Sequence, residues 1–173
     1  MARRVALPLL LMAVAVAFPA NAELVTANQL RDELAKYGAE AMEISYEDGH
    51  PTLTGEMLGQ AFEVGLSDCD GPQNACRLLR YVSCHGMADF SRIEALEIAN
   101  THNAGYQGTT AFAEEKWFGQ VVCVRLQQDF RGETEFGQRQ VFEWQIGLED
   151  FLQEMDDARA VKQAANSLDN SAD

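Results

Sequence analysis

The stretch Leu79-Arg-Tyr-Val-Ser-Cys84 decides the fold class of this chain. Successive side chains of a strand point to opposite faces, so Leu79, Tyr81 and Ser83 share one face of this segment. Upstream, Phe62-Glu-Val-Gly-Leu66 shows the same period of two. Neighbouring segments with this period predict strands, and the short connections between them predict hairpins and an antiparallel sheet.

Further strands extend this sheet in both directions along the chain. Met42, Ile44 and Tyr46 alternate with polar residues up to the turn Glu47-Asp48-Gly49-His50, after which 52–54 can return as the partner strand. Downstream, the segments 109–113 and 119–130 flank a short turn and predict another hairpin.

Capping boxes mark the starts of two helices. Thr26-Ala-Asn-Gln29 opens a first helix, predicted over roughly 26–37 with Gly38 as its C-terminal stop. Ser91-Arg-Ile-Glu94 opens a second helix that ends near 103–105. The residues of this second helix that are predicted to face inward are Ile93, Leu96 and Ala99.

A third, long helix is predicted to begin near Thr134, because apolar residues recur three and four positions apart. This stripe comprises Val141, Trp144, Leu148, Phe151 and Met155. The predicted fold is α+β, an antiparallel sheet with helices packed on one side in the order α-β(3-4)-α-β-β-α. One domain is expected over 23–165, followed by a disordered tail over 166–173.

The first 22 residues have the three parts of a secretory signal peptide. Arg3-Arg4 precedes the apolar run from Val5 to Phe18, and Ala20-Asn21-Ala22 supplies the small residues of a cleavage site. A membrane anchor is the alternative, but the run contains Pro8 and is shorter than the roughly 20 residues that a spanning helix needs. We therefore expect cleavage after Ala22 and a periplasmic or secreted protein that has no membrane attachment after cleavage.

Composition restricts the classes of partner. With 173 residues, of which 47% are hydrophobic and 23% charged, the chain suits one domain with a buried core and is too apolar for a disordered protein. The 27 Asp and Glu residues outnumber the 13 Lys and Arg residues, giving a net charge of −14. Nucleic acids and anionic lipids attract positively charged surfaces, so this charge argues against both as partners.

In an oxidising compartment, the four cysteines are expected to form two disulfides that stabilise the fold. Four cysteines allow three pairings. Cys69 and Cys76 flank a turn-rich segment that can double the chain back, so this pair is favoured and leaves Cys84 with Cys123. The spacing C-x6-C differs from the C-x-x-C of redox sites and zinc knuckles, which favours a structural role.

Four segments together resemble a known bacterial family. They are Asp48-Gly49-His50-Pro51, Phe62-Glu-Val-Gly-Leu66, Cys76-Arg-Leu-Leu-Arg-Tyr81 and Asn100-Thr-His-Asn103. Over roughly 26–156 the chain resembles the YbjN family, called bacterial sensory transduction regulators. The resemblance implies a fold similar to type III secretion chaperones, an architecture that often dimerises and binds protein partners, with no established enzymatic activity.

The most specific parts of this resemblance are Cys76 before its strand and the pair Asn100 and Asn103. The family typically has Trp between the two asparagines, where this chain has His102. Considered without the resemblance, asparagines at the end of a helix are typical capping residues, since their amides hydrogen-bond exposed carbonyls or the next loop.

Few residues could carry catalysis or bind a metal. His50, His85 and His102 fall on separate elements without metal-ligand spacing. Cys84 and His85 are adjacent on a strand, so their side chains diverge. Asp68-Cys-Asp70-Gly71 resembles a fragment of a calcium loop but lacks the remaining ligands. We expect no catalytic residues, metal or cofactor; a cation-binding or small-ligand envelope protein, or a hydrolase built on that loop and His85, is the alternative.

Two surface features are candidate partner-binding sites. Trp117 and Phe118 lie in a turn between strands, and exposed aromatic rings are common in interfaces. Acidic residues along the last helix form either a solvated face or a docking patch for a basic partner; they are Glu149, Asp150, Glu154, Asp156 and Asp157. The sequence thus favours an exported, non-enzymatic binding or adaptor protein, regulatory or chaperone-like, that contacts a protein partner or a second copy of itself as a homodimer.

Overall fold

The computed structural model describes residues 24–70, 74–106, 108–130 and 136–169. The elements are α1 (Ala27–Lys36), β1 (Glu40–Glu47), β2 (His50–Met57), β3 (Gln60–Asp70), β4 (Ala75–Gly86), α2 (Arg92–Gly105), β5 (Thr110–Lys116), β6 (Gly119–Asp129) and α3 (Gln138–Asp169). The six strands form one antiparallel sheet in the order β1-β2-β3-β4-β6-β5. The predicted α+β class and order of elements are confirmed.

The first hairpin is closed by a tight turn between Glu47 and His50, which pair directly. The backbone angle φ is 50° at Asp48 and 81° at Gly49. Positive φ at both central residues is the requirement of a type I′ turn, whose twist matches that of the flanking strands. The turn predicted from Asp48-Gly49 is therefore confirmed.

Both predicted capping boxes are present. The Thr26 side chain accepts a hydrogen bond from the backbone N–H of Gln29, and the Gln29 side chain accepts one from the backbone of Thr26. Ser91 and Glu94 make the same reciprocal bonds at the start of α2. These pairs satisfy N–H groups that a helix start otherwise leaves without a partner, so they fix where both helices begin.

The buried face of α2 differs from the predicted one. The buried residues are Ala95, Ile98, Ala99 and His102, whereas Ile93 is 69% exposed and Leu96 is 41% exposed. The helix is thus rotated by about one residue position relative to the prediction. The small side chains of Ala95 and Ala99 allow α2 to approach β5 and β6 closely, and the larger Ile93 and Leu96 would hold it away.

Helix α3 supplies the centre of the core. Val141, Trp144, Leu148, Phe151 and Met155 are all fully buried, which confirms the predicted stripe. The Trp144 ring centroid lies 5.4 Å from that of Tyr81 on β4 and 6.4 Å from that of Phe62 on β3. The helix therefore crosses the middle of the sheet, with α1 on one side of it and α2 on the other.

The two ends of α3 differ from the expectation. It begins at Gln138, and Thr134, where the sequence placed its start, lies outside the described residues. At the other end α3 continues to Asp169, so residues 166–169 are helical where the sequence predicted a tail. Alanines at 158, 160, 164 and 165 are strong helix formers, which explains the extension. The predicted leader and residues 170–173 also lie outside the described residues.

The disulfides pair as predicted, Cys69 with Cys76 and Cys84 with Cys123. In both bonds the two cysteines are directly opposite each other on neighbouring strands, β3 with β4 and β4 with β6. The bonds therefore fix the register of the central strands. Within the described residues, no helix combines the length and the apolar character needed to cross a bilayer.

Candidate functional site

A groove with a volume of about 610 Å³ lies between α2 and α3. Its apolar lining consists of Phe90, Ile98, Ala158, Val161 and Ala165. Its acidic residues are Glu94, Glu97, Glu154 and Asp157. We call this feature the α2–α3 groove. It exists because α2 turns Ile98 inward and leaves a cleft beside α3, where Val161 is 71% exposed.

One end of the α2–α3 groove is closed by Lys162. Its Nζ donates hydrogen bonds of 2.8 and 2.9 Å to the two carboxylate oxygens of Glu94. The same Nζ lies 4.5 Å from the centroid of the Phe90 ring. The bonds from Lys162, together with those from Ser91, lower the pKa of Glu94 to about 2. The only lysine of the lining is therefore already paired with a carboxylate.

The other end of the groove rests on the buried side chain of His102. Its Nε2 lies 2.7 Å from the hydroxyl of Thr109, and its Nδ1 lies 3.3 Å from Oε2 of Glu154. Apart from their contact with each other, Nδ1 of His102 and Oε2 of Glu154 are buried without a polar partner among the described residues. Burial lowers the pKa of His102, against an opposing effect of the Asp150 charge, so the imidazole is neutral near pH 7.

Glu154 reaches this histidine from α3 and is a partly buried carboxylate of the lining. Burial raises its pKa, and the negative charges of Asp150 and Asp157 raise it further. The helix can approach closely here because Gly147 has no Cβ, which would overlap the side chain of Thr109. The result is an acidic group held at the groove by a neutral base.

A second histidine lies behind the first, on the other side of Phe151. The Phe151 ring centroid is 5.4 Å from that of His85 and 5.5 Å from that of His102. Ser83 donates its hydroxyl proton to the carbonyl of Ala61 at 2.7 Å, so its oxygen accepts the 3.0 Å bond from Nε2 of His85. Ser83 and His85 are both buried, and this pair is a part of the packed core.

The predicted aromatic contact is exposed at the tip of the β5–β6 hairpin. Trp117 is 95% exposed, and its ring packs edge-on against that of Phe118, with centroids 5.2 Å apart. The backbone N–H of Met87 donates to the carbonyl of Gln120 at 2.8 Å, which places the tip beside the 87–90 turn. Phe90 of that turn lines the α2–α3 groove, so one turn contacts the hairpin and also contributes to the groove.

The predicted acidic patch is only partly brought together. Asp150 and Glu154 act on the same histidine, whereas Glu149 is exposed and contributes nothing to this cluster. Of the two asparagines, Asn103 hydrogen-bonds both the N–H and the carbonyl of Ala111 on β5, at 2.7 and 2.9 Å. The side chain of Asn100 is exposed and makes no hydrogen bond to the described residues.

The two aspartates of the segment that resembles a calcium loop, Asp68 and Asp70, form ion pairs with an arginine. Arg77 on β4 lies 3.8 Å from Asp68 and 3.3 Å from Asp70, so its guanidinium neutralises both carboxylates. Within the ranges that the structure describes, no group of three or more His, Cys, Asp or Glu side chains is arranged to hold a metal ion. The nearest candidates for the alternative function, Asp68 and Asp70, therefore face a cation that the chain itself supplies.

Replacing His102 with glutamine is expected to flatten the pH dependence of stability between pH 7 and pH 5. In the unfolded chain a histidine binds a proton below about pH 6.5, whereas the pKa of His102 is lower in the folded state. The stability that neutral His102 contributes above pH 6.5 is therefore lost as the pH falls. Urea unfolding of the two proteins at both pH values measures this change, and an unaltered pH dependence in His102→Gln would contradict it.

Glu154→Gln is the matched variant, because the carboxyl group of Glu154 changes stability with pH in the opposite direction to His102. Because the pKa of Glu154 is raised on folding, its contribution is present below about pH 4.5 and is lost as the pH rises through the folded pKa. Removing the carboxyl group should therefore raise stability at pH 7 more than at pH 5. The same urea series on Glu154→Gln would refute this assignment if the gain were larger at pH 5.

The sequence matches no protein-family model and no curated protein. Among solved structures, the chain is similar to the crystal structure of YbjN from E. coli. The two chains are 12% identical, the match covers 83% of this chain and 96% of that chain, and the TM-score is 0.45. This is a similarity at the level of the fold.

Proposed function

We propose that this chain is an exported, non-enzymatic binding or adaptor protein of the YbjN type, regulatory or chaperone-like, and that a protein partner docks in the α2–α3 groove. The observation that carries the proposal is an open apolar cleft of about 610 Å³ with carboxylates around it. Protein interfaces have this organisation, an apolar centre with a polar rim, and exposed apolar patches on soluble proteins mark interaction sites.

Two further features support a binding role. The tip residues Trp117 and Phe118 form a second exposed apolar surface, and aromatic residues are enriched among those that dominate binding energy. The YbjN-like residue pattern includes Asn103, whose amide ties the end of α2 to β5 and so supports one wall of the groove.

Export is supported by the cysteines and the leader. Both disulfides join neighbouring strands, and such bonds persist in a periplasm or outside the cell rather than in a reducing cytosol. We propose that residues 1–22 are removed as a signal peptide and that the protein then acts in the periplasm or in the medium.

Val161→Asp tests the groove as the docking site. Val161 is exposed on the groove wall, so aspartate there costs little folding energy but opposes an apolar contact. Capture from native envelope extract by the wild-type mature protein should yield a partner identified by mass spectrometry. Its affinity for the variant should be weaker by about tenfold or more, a loss of at least about 1.4 kcal/mol.

Leu58→Asp is the control for this experiment. Leu58 is exposed in the β2–β3 turn, at the other end of the sheet, and its φ of 55° suits aspartate better than leucine. The control carries the same change of charge and should bind the partner like the wild type. Equal affinity of Val161→Asp and Leu58→Asp, or an exported protein that stays monomeric and captures nothing, would argue against the proposal.

A further inference from the structure

We infer that the segment recognised by the α2–α3 groove is an amphipathic α-helix whose apolar stripe is flanked by lysine or arginine side chains. This inference rests on the proposed function, because it names the partner of the same groove. Its basis is the shape of the groove, the charge of its lining and the distribution of charge over the rest of the chain.

The shape of the groove fits a helix. Its walls are two packed helices, and the α3 wall runs from Glu154 to Asn166. At 1.5 Å per residue this wall is about 18 Å long, which is the length of a helix of about 12 residues. A third helix that lies between two others can place its i, i+3, i+4 and i+7 side chains in the cleft, as in known helix-in-groove complexes.

The negative charge of the lining favours positively charged residues beside the apolar stripe of that helix. Lys162 is engaged by Glu94, and the remaining acidic groups of the lining are Glu97, Glu154 and Asp157. None of these three has a lysine or arginine partner among the described residues, since Asp157 accepts only from Gln153 and Glu154 contacts neutral His102. An uncompensated acidic rim attracts cationic side chains and repels acidic ones.

The state of Glu154 points the same way. Its pKa is raised because it is partly buried next to Asp150 and Asp157, so its charge is held at a cost in energy. A cation placed at this end of the groove would favour the ionised form. Binding of a basic helix should therefore strengthen as the pH rises through the titration of Glu154, and binding of a neutral helix should not.

A second copy of the chain fits the groove poorly. The net charge of −14 opposes self-association, and apposed grooves would bring acidic rims together. The aromatic tip is also flanked by acid, because Glu114 and Glu115 precede Trp117 and Lys116 is paired with Glu114. The surface thus favours a partner of opposite charge over a copy of itself.

The test uses two designed peptides of about 14 residues with the same leucine stripe at helical spacing. One peptide carries lysine at the flanking positions and the other carries glutamate. Fluorescence anisotropy with the mature, disulfide-bonded protein should show binding of the lysine peptide and at least about tenfold weaker binding of the glutamate peptide at low salt. Glu97→Gln with Asp157→Asn should weaken the lysine peptide about fivefold, and the charge-matched control Glu43→Gln with Glu47→Gln, on β1, should change it by less than about twofold.

The outcomes separate this inference from the proposed function. If both peptides bind equally well and Val161→Asp weakens both, the groove is a docking site but the inferred partner charge is wrong. If the lysine peptide binds equally to wild type and to Val161→Asn, a variant with unchanged charge, it binds elsewhere and the inference is wrong, while capture of the native partner still tests the proposed function. If neither peptide binds, the inference is also overturned.

Discussion

Replacing Trp144 with alanine is expected to destabilise the protein by about 3–5 kcal/mol, because a large buried ring is removed and the sheet cannot collapse into the space. Trp144 is fully buried on α3, and its ring packs on Tyr81 and Phe62. It therefore joins the helix to two strands at once. Urea unfolding followed by far-UV circular dichroism measures the loss.

Trp117→Ala is the matched control, since the chain has two tryptophans and the second is almost fully exposed. This variant should unfold within about 0.5 kcal/mol of the wild type. Fluorescence gives a second readout: Trp117→Ala should retain the blue-shifted emission of a buried indole, which then shifts to the red on unfolding. A loss of less than about 1 kcal/mol in Trp144→Ala would show that α3 does not pack over the sheet as described.

Removing the Cys84–Cys123 disulfide as the double alanine variant is expected to cost about 4 kcal/mol. The bond closes a loop with a sequence separation of 39, and in the chain-entropy model a longer closed loop restricts the unfolded chain more. The Cys69–Cys76 bond spans a separation of 7, so its removal should cost only about 2.5 kcal/mol. Alanine is used because serine would place a polar group at Cys123, which is fully buried.

In thermal unfolding, the wild type should have the highest Tm, the variant without the Cys69–Cys76 bond an intermediate one, and the variant without the Cys84–Cys123 bond the lowest. The Tm of this last variant should lie about 8–16 °C below that of the wild type. Partner binding should persist in both variants at temperatures where they remain folded, since neither bond lines the α2–α3 groove. A larger loss of stability on removing the Cys69–Cys76 bond than on removing the Cys84–Cys123 bond would contradict this explanation by loop length. Mass spectrometry that found four free thiols in protein taken from the envelope would show that the two disulfides do not form there and would contradict the prediction.

Much of the fold could be predicted because its determinants are local. The alternation around Tyr81, the turn at Asp48-Gly49 and the capping boxes at Thr26 and Ser91 each depend on residues within a few positions. The stripe around Trp144 has a single apolar face, so the side of α3 that packs on the sheet was unambiguous. The disulfide pairing was predictable from the turn-forming residue types between Cys69 and Cys76 in the sequence.

The candidate site could not be predicted in the same way, because its contacts join distant residues. Helix α2 has apolar residues on two faces, and the choice between them depends on how closely Ala95 and Ala99 allow it to approach the sheet. His102 meets Glu154 across 52 positions of sequence, and Lys162 meets Glu94 across 68. The sequence predicts an acidic patch along α3, but only Glu154 and Asp157 of its residues line the groove.

The amide of Asn103 restricts the addition of a further strand at one edge of the sheet. It occupies both main-chain groups of Ala111 on the outer margin of β5, and an added strand would have to displace it. Main-chain pairing with another molecule is therefore easier at β1 than at β5. Molecules that pair through a single edge strand form closed pairs, whereas growth into a fibril needs two free edges on each molecule.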